Sequence, residues 1–468
     1  MGDLCFKIST QMIFRFAMNT MSEELASYVE ALRLKDIPER VLAKAKLHLL
    51  DTVGVSAAGS LEPRVQSIAD TLKKVFSSGE STVLWYGCRA PSPIAALANG
   101  SMAHALDYDD THLDSIMHLS SPLVSIVLSL GEALHVSGAE AMTALVAAYE
   151  VSSRIGMAVR GRFHERGFHA TSVCGVLGCA LAAGKLMGHS QAKLAGAMGI
   201  AGSMSSGLME FLSDGSWIKP LHAGWAAHGG IMAALLAAQG LAGPRTILEG
   251  GRGVYAAYAG VTPSLENVVA DLGEKWEVMN ISFKLFPNCH LIHEFMHAAL
   301  TLKKKHNIHP DEVREITCYV SELAIPIICQ PAERKLNPQT RYDAMFSLPY
   351  GVATVLVKGS AGIKDFDVKN GLSKDVASLT KKIRFVKAET NEEKIAEIVT
   401  VDGRRYTANR SDLENPTTED IMNKFRNNLQ LVVREGDVRT LANVIMNVDK
   451  LDVLEKLVRL CVATNHVK

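Results

Sequence analysis

Aromatic residues are scarce in this chain, at 6% of 468 residues. Ala and Gly are instead dense between about residues 95 and 260. Small side chains at a helix contact let the backbones approach closely, so this composition points to a tightly packed helical core. Net charge is also missing: Lys plus Arg and Asp plus Glu number 49 each. That balance gives no electrostatic case for nucleic acid or an anionic membrane as partner. A positive field that attracts an anionic substrate would have to be local, a few Lys and His in one pocket.

The apolar runs are short for a membrane span. Segments 123–135 and 174–187 are apolar, but fall short of the roughly 20 residues that span a bilayer. Charges or His recur between them, so they are expected to be buried helices. Cysteines number eight, at 5, 88, 174, 179, 289, 318, 329 and 461, with no Cys-x-x-Cys pair. This spacing excludes a disulfide framework and the usual zinc and iron–sulfur motifs. It suits a reducing compartment, and a cytoplasmic location is expected. The first residues mix Lys7 and Arg15 with Ile13, Phe14 and Phe16 and lack the apolar core of a signal peptide. An overlong start, with the true beginning at Met18 or Met21, is the preferred expectation, and organelle targeting by residues 1–20 is the alternative.

The length implies two domains. From about 22 to 270 the pattern is helix after helix. Pro38-Glu39-Arg40 opens one that ends in glycine, and Ser92-Pro93 opens another expected to run through HALDYDDTH. Apolar-periodic runs cover 121–136, 139–158, 170–187, 191–212 and 220–241. After about 280 the texture changes. EVREITCYVSE, KKIRFVKAE and EKIAEIVTVDGRRYTANR alternate as strands do, with Asp402-Gly403 as a hairpin turn. A helix, AMFSLPYGVATVLVKG, lies between them, which indicates a small α+β domain. The tail returns to helix. The expected class is mainly α, divided into a helical domain over 22–275, an α+β lid domain over 280–412, and helices over 413–468 that pack back on the first.

Four segments carry chemistry. In HALDYDDTHLDSIMHLSSP, residues 104–122, His104, Asp107 and Thr111 would share one face of a helix at i, i+3 and i+7. The plain alternative is that these carboxylates cap helix ends and these histidines are satisfied core residues. A metal site is a further alternative, but His104, Asp107, His112 and His118 match no standard ligand spacing. In RGFHATSVCGVLGCALAAGK, His169 precedes a helix of small residues, where a structural histidine is the commoner case. Thr171 and Ser172 there could cap the helix as well as bind substrate. In SDGSWIKPLHAGWAAHGG, Lys219 stands at a helix start, where amide N–H groups and an ammonium together suit an anion. A solvated surface lysine is the alternative. In ISFKLFPNCHLIH, Lys284 lies among Phe283, Leu285 and Phe286, so it either snorkels or is buried for a reason.

Taken in order, these segments resemble the MmgE/PrpD family from about residue 22 to the C-terminus. The most specific parts are His104-Ala-Leu-Asp-Tyr-Asp-Asp-Thr111 and Lys219-Pro-Leu-His-Ala-Gly224, supported by Leu50-Asp51-Thr52, Phe168-His169 and Phe283-Lys284-Leu-Phe-Pro287. The resemblance implies a large helical domain, a smaller α+β lid inserted before the last helices, and a homodimer. It implies pocket residues at Asp107, Thr111, His118, His169, Lys219, Lys284 and Tyr350. The chemistry implied is metal-free and cofactor-free proton transfer beside a carboxylate of a small polycarboxylate. His169 and His118 would move the proton, with Asp107 and Lys219 completing the catalytic set. Thr111, Lys284, His104 and Tyr350 would bind substrate. Dehydration of the 2-methylcitrate type is the first expectation. Decarboxylation of the cis-aconitate type, epimerisation of the iminodisuccinate type, and a carboxylate-binding dimer without turnover are the alternatives. Family members that dehydrate 2-methylcitrate carry a Gly-His-Pro-Ser-like turn where this chain has Met117-His118-Leu119-Ser120.

Overall fold

Short polar side chains start the helices. Thr20 Oγ1 accepts from Glu23 N while the Glu23 carboxylate accepts from Thr20 N, which opens helix Met21–Ala31. Ser137 and Glu140 make the same reciprocal pair before helix Gly138–Met157. Such boxes satisfy N–H groups that a helix start leaves without partners. The fold is known from a computed structural model that describes residues 19–464 apart from 77, 390 and 391. The expectations for residues 1–18, an overlong start or a targeting stretch, lie outside those residues.

The helical part is built on small residues, as the composition suggested. Helix Lys219–Ala238 lies against Ser92–Ala103 and Gly175–Leu186. A Cβ on Gly100 would come 2.8 Å from Gly224 Cα, and one on Gly230 would come 2.7 Å from the Cys179 carbonyl carbon. These helices cross at backbone contact, and only glycine allows it. Among the described residues, Lys219–Ala238 is the one helix long and apolar enough to cross a membrane. Here it is a core helix, with Ala223, Ala226, Ala227, Ala233 and Ala234 buried.

Two hydrophobic cores result. The first gathers residues from Met21 to Phe283 and takes up the chain again from Ile421 to Cys461. Helix Thr418–Leu429 therefore packs on helix Glu39–Gly59. The second core runs from Phe286 to Ala408. It holds a four-stranded sheet in the order Ile383–Lys387, Val313–Val320, Lys394–Thr400, Arg405–Asn409. The first pair is parallel and the other two antiparallel. Gly403, at φ +86°, makes the hairpin turn. Helices His290–His306 and Leu348–Lys358 pack with this sheet.

Two elements differ from expectation. The run over 191–212 is broken: the helix stops at Ser203 and only a short turn, Phe211–Asp214, follows. More consequential, helix Ser92–Ala103 ends before the acidic cluster, and His104 is its C-cap. Asp107 sits at φ +48° and Thr111–His112 pairs as a short strand with Ile281–Ser282. His104, Asp107 and Thr111 therefore do not share a helical face. The cause is tertiary: Asp107, Asp109 and Asp110 are buried, and their partners in distant segments displace helical hydrogen bonding.

Candidate active site

The loop from 104 to 110 is held by side chains that reach its carbonyl oxygens. Lys284 Nζ donates to Asp107 O at 2.9 Å, Lys424 Nζ to Tyr108 O at 2.7 Å, and His118 Nδ1 to Asp110 O at 2.9 Å. Pairing of Thr111 with Ser282 brings Lys284 beside the loop. The loop's carboxylates are committed too. Asp109 accepts from His104 Nδ1 at 2.7 Å and Ser121 Oγ at 2.5 Å. Asp110 Oδ2 lies 2.7 Å from His48 Nδ1, and Asp110 Oδ1 accepts from Ser120 N at 3.1 Å.

Asp107 is the centre. Its Oδ1 lies 2.9 Å from Lys219 Nζ and 2.8 Å from Lys284 Nζ. Its Oδ2 is buried and makes no hydrogen bond within the protein. Burial pushes this carboxyl up, yet the two ammonium groups overcome it and hold it well below the usual carboxylate range. Lys219 stands at the first position of its helix, which has no side-chain cap, so the positive end of the helix adds to its charge. Its ammonium also faces the Phe346 ring at 5.4 Å.

Three histidines face this group. His118 Nδ1 carries its proton, because a carbonyl can only accept. Nε2 is then the lone pair that accepts from Lys219 Nζ at 3.3 Å. Thr111 Oγ1 lies 3.2 Å from the same Nδ1, and Thr171 Oγ1 accepts from His118 N. His104 lies 4.9 Å from His118 and 5.8 Å from His169 between ring centres. Its Nε2 is buried and has no partner within the protein. His169 shares a proton with His222, Nδ1 to Nδ1, at 3.1 Å. Burial, then Lys219, pushes His118 and His169 well below the ordinary imidazole value. Burial also takes His164 and His222 down to about 4. At neutral pH these rings are uncharged beside two lysines.

Of the residues singled out from sequence, the fold brings together His104, Asp107, Thr111, His118, His169, Lys219 and Lys284. Thr111 is engaged with His118 rather than free. Tyr350 stands apart: its hydroxyl donates to the Asp365 carbonyl and its ring packs on Phe366 at 5.8 Å. A different tyrosine is nearer. Tyr342 stacks on Phe346 at 4.7 Å, meets Phe211 edge-on at 6.0 Å, and has a buried hydroxyl without a partner within the protein. Sequence reasoning missed Tyr342 and also His222. The i, i+4 pairing of Tyr342 with Phe346 and the place of His222 inside the Lys219–Gly224 motif were the available signals. His222 also lines an open cavity of about 400 Å³ with Gly207, Phe211, Ile218, Leu221 and Trp225.

His104, His118 and His169 place ring nitrogens within 4.8 Å of one another, a set that could gather a metal ion, as could Asp107, Asp109 and His118. Lys219 and Lys284 put two positive charges beside one carboxylate there, which favours an anion over a cation. The arrangement can clamp carboxylates, stabilise negative charge that builds beside them, and deliver a proton from imidazole.

Residues 23–265 match the MmgE/PrpD N-terminal domain, and residues 286–450 match the MmgE/PrpD C-terminal domain. The chain belongs to the MmgE/PrpD family. It is 28% identical to a human protein named cis-aconitate decarboxylase, over 93% of each chain. An Aspergillus terreus protein of the same name is 25% identical over 95% of this chain and 96% of its own. A cis-aconitate decarboxylase-like protein of Aspergillus oryzae is 30% identical over 74% of this chain and 75% of its own.

Proposed function

We propose that this protein is a lyase that removes carbon dioxide from a small tricarboxylate of the cis-aconitate type. The observation that carries the proposal is the Lys219–Asp107–Lys284 bridge set against two neutral imidazoles, partly exposed His118 and buried His169. The names of the relatives favour decarboxylation over the dehydration expected first from sequence.

The reaction asks little more than this site offers. The carboxylate on the saturated carbon leaves as carbon dioxide. Its bonding pair passes into an allyl system conjugated with the remaining carboxylates. The far allyl carbon takes a proton as the double bond shifts, so one C–C bond breaks, one C–H bond forms and one proton is consumed. Lys219 and Lys284 grip the remaining carboxylates and stabilise the charge as it spreads onto them. A buried polyanion also offsets the lysines that depress His118 and His169, which raises their proton affinity. Substrate binding thus arms an imidazole as the acid, and His169 is assigned that role, with His118 beside Lys219 orienting the leaving carboxylate. Side chains carry every step, so activity is expected to withstand a chelator. The proposal includes a homodimer in the cytoplasm, which light scattering and cell fractionation check.

The test is mass spectrometry of cis-aconitate, 2-methylcitrate, citrate and iminodisuccinate incubated with the enzyme, with and without chelator. Loss of carbon dioxide from cis-aconitate is expected. Loss of water from 2-methylcitrate would move the assignment to a dehydratase, and inversion of iminodisuccinate to an epimerase. No turnover of any of them would overturn the lyase assignment. His169→Ala should lower kcat by about 10²–10⁴-fold with the fold intact.

A further inference from the structure

The site's central loop is fastened by a residue that enters from the far end of the sequence. Lys424, in helix Thr418–Leu429, has a side chain only 2% exposed. Its Nζ lies 2.7 Å from Asp51 Oδ1 and 2.7 Å from the Tyr108 carbonyl oxygen, and 4.0 Å from the centre of the Tyr108 ring. Asp51 is as buried as its partner, at 2%. A buried ammonium needs a counter-charge and acceptors for its protons, and Asp51 and the Tyr108 carbonyl supply them.

Tyr108 follows Asp107 directly, and Asp107 stands at φ +48°, a conformation that an L-residue keeps only when its surroundings enforce it. The next carbonyl along is the one Lys424 holds. The Tyr108 hydroxyl donates in turn to the Leu285 carbonyl at 3.1 Å, one residue from Lys284. A single ammonium therefore grips a residue joined to Asp107 by the peptide bond and, through its hydroxyl, to the carbonyl of the residue that follows Lys284. None of the catalytic groups proposed above touches Lys424.

We propose that Lys424 is a positioning residue. It fixes the Tyr108 peptide, so that the Asp107 carboxylate points at Lys219 and Lys284 and the two ammonium groups stand at the separation that receives an anionic substrate. Asp51 serves as its counter-charge. Without Lys424 the Tyr108 carbonyl loses its donor, the peptide turns, and Asp107 relaxes out of the left-handed region and away from the lysines. The inference rests on the reading of this pocket as a polycarboxylate site.

The test uses the full chain and reads binding of cis-aconitate by calorimetry in the His169→Ala background, where turnover is suppressed, beside steady-state KM of the otherwise unaltered enzyme. Lys424→Met removes the charge and the donors while it keeps the length. It should weaken Kd for cis-aconitate by about tenfold or more, since a misaligned hydrogen bond between charged groups forfeits about tenfold in affinity. Lys424→Arg should regain most of that loss. A purely structural lysine would lower the folded fraction, and under conditions where circular dichroism shows the variant fully folded it would leave Kd and KM unchanged. An unchanged Kd in folded Lys424→Met overturns the proposal. Should that variant not fold, Asp51→Asn decides: it keeps the size of the side chain but removes the counter-charge that holds Lys424 against the Tyr108 carbonyl. A Kd about threefold weaker or more supports the proposal, and an unaltered one overturns it. Wild-type protein that binds cis-aconitate without consuming it would sink the lyase assignment and leave this inference standing. Wild-type protein that binds none would overturn both.

Discussion

Lys284 holds Asp107 twice, by the carboxylate at 2.8 Å and by the main-chain carbonyl at 2.9 Å. One ammonium thereby bonds both the side chain and the backbone that carries it, while Lys424 holds the next carbonyl along. The second ammonium, from Lys219, shares the same carboxylate oxygen. Positive charge exceeds negative charge at this point, and the pocket is prepared for an anion before one arrives.

Asp107→Asn should therefore harm stability as well as activity. It leaves two buried lysines without a counter-charge, and loss of one partner of a buried pair costs about 3–5 kcal/mol. The folded pKa of Asp107 is depressed, so its contribution is present above the unfolded value of about 4 and is lost only as pH falls through the lower folded value. Urea melts of wild type and variant should differ by a constant amount from about pH 5 to 7, and the gap should close in stronger acid. A gap that closes near pH 7 would show that Asp107 is not charged in the fold.

The histidines act in the same direction as Asp107 but at higher pH, in mild acid. His118 and His169 sit well below their unfolded value, and His164 and His222 at about 4. Between those folded values and about 6.5 the unfolded chain binds more protons, so stability falls as pH drops. Each such ring contributes up to about 1.4 kcal/mol per pH unit. The Tm of the free protein should decline steeply from pH 7 to 5. Saturating tricarboxylate should soften the decline, because its charge raises the proton affinity of the bound-state imidazoles. Scanning fluorimetry across that range checks both, and parallel declines with and without ligand would contradict the electrostatic coupling.

Much of this was legible in the sequence, and what was not has a common cause. Capping residues, periodicity and the Asp402-Gly403 turn located most helices and the hairpin, since those signals are local. The helix from Ser92 was expected to run through Thr111, yet it stops at Ala103. Its continuation is governed by Lys284, Lys424 and His48, whose arrival no local pattern announces. Tyr342 and His222 were missed for the same reason. Their local signals, the Tyr342–Phe346 spacing and the Lys219–Gly224 motif, become specific only beside Phe211 and His169, which lie far away in the chain. The parallel pairing of Val313–Val320 with Ile383–Lys387 was likewise hidden, because alternation marks a strand but not its neighbour.

Gly224→Ala tests how far the backbone contact under Lys219 matters. The added Cβ would press on the Leu97 carbonyl and on Ser101, and the fixed helix Ser92–Ala103 cannot retreat without disturbing His104 at its end. Overpacking of this kind costs about 1–3 kcal/mol. Any shift it forces displaces Lys219, five residues away on the same helix, so KM for the tricarboxylate should rise along with the fall in denaturation midpoint. A loss of stability with KM unchanged would mean that the helix start is held independently of its crossing point.

Thr111 separates two roles that sequence alone left merged. Its hydroxyl was expected to meet substrate, but in the fold it lies 3.2 Å from His118 Nδ1, the nitrogen that also donates to Asp110 O at 2.9 Å. Thr111→Val preserves shape and removes that hydroxyl. His118 keeps its main bond to the carbonyl, so the ring retains its tautomer and loses only part of its restraint. A hydrogen bond of this kind is worth about 0.5–1.5 kcal/mol, or roughly tenfold at most, and the loss should appear in kcat. If the hydroxyl instead bound substrate equally in ground and transition states, KM would rise and kcat would hold. Steady-state kinetics of the one variant therefore decides whether Thr111 serves the histidine or the carboxylate.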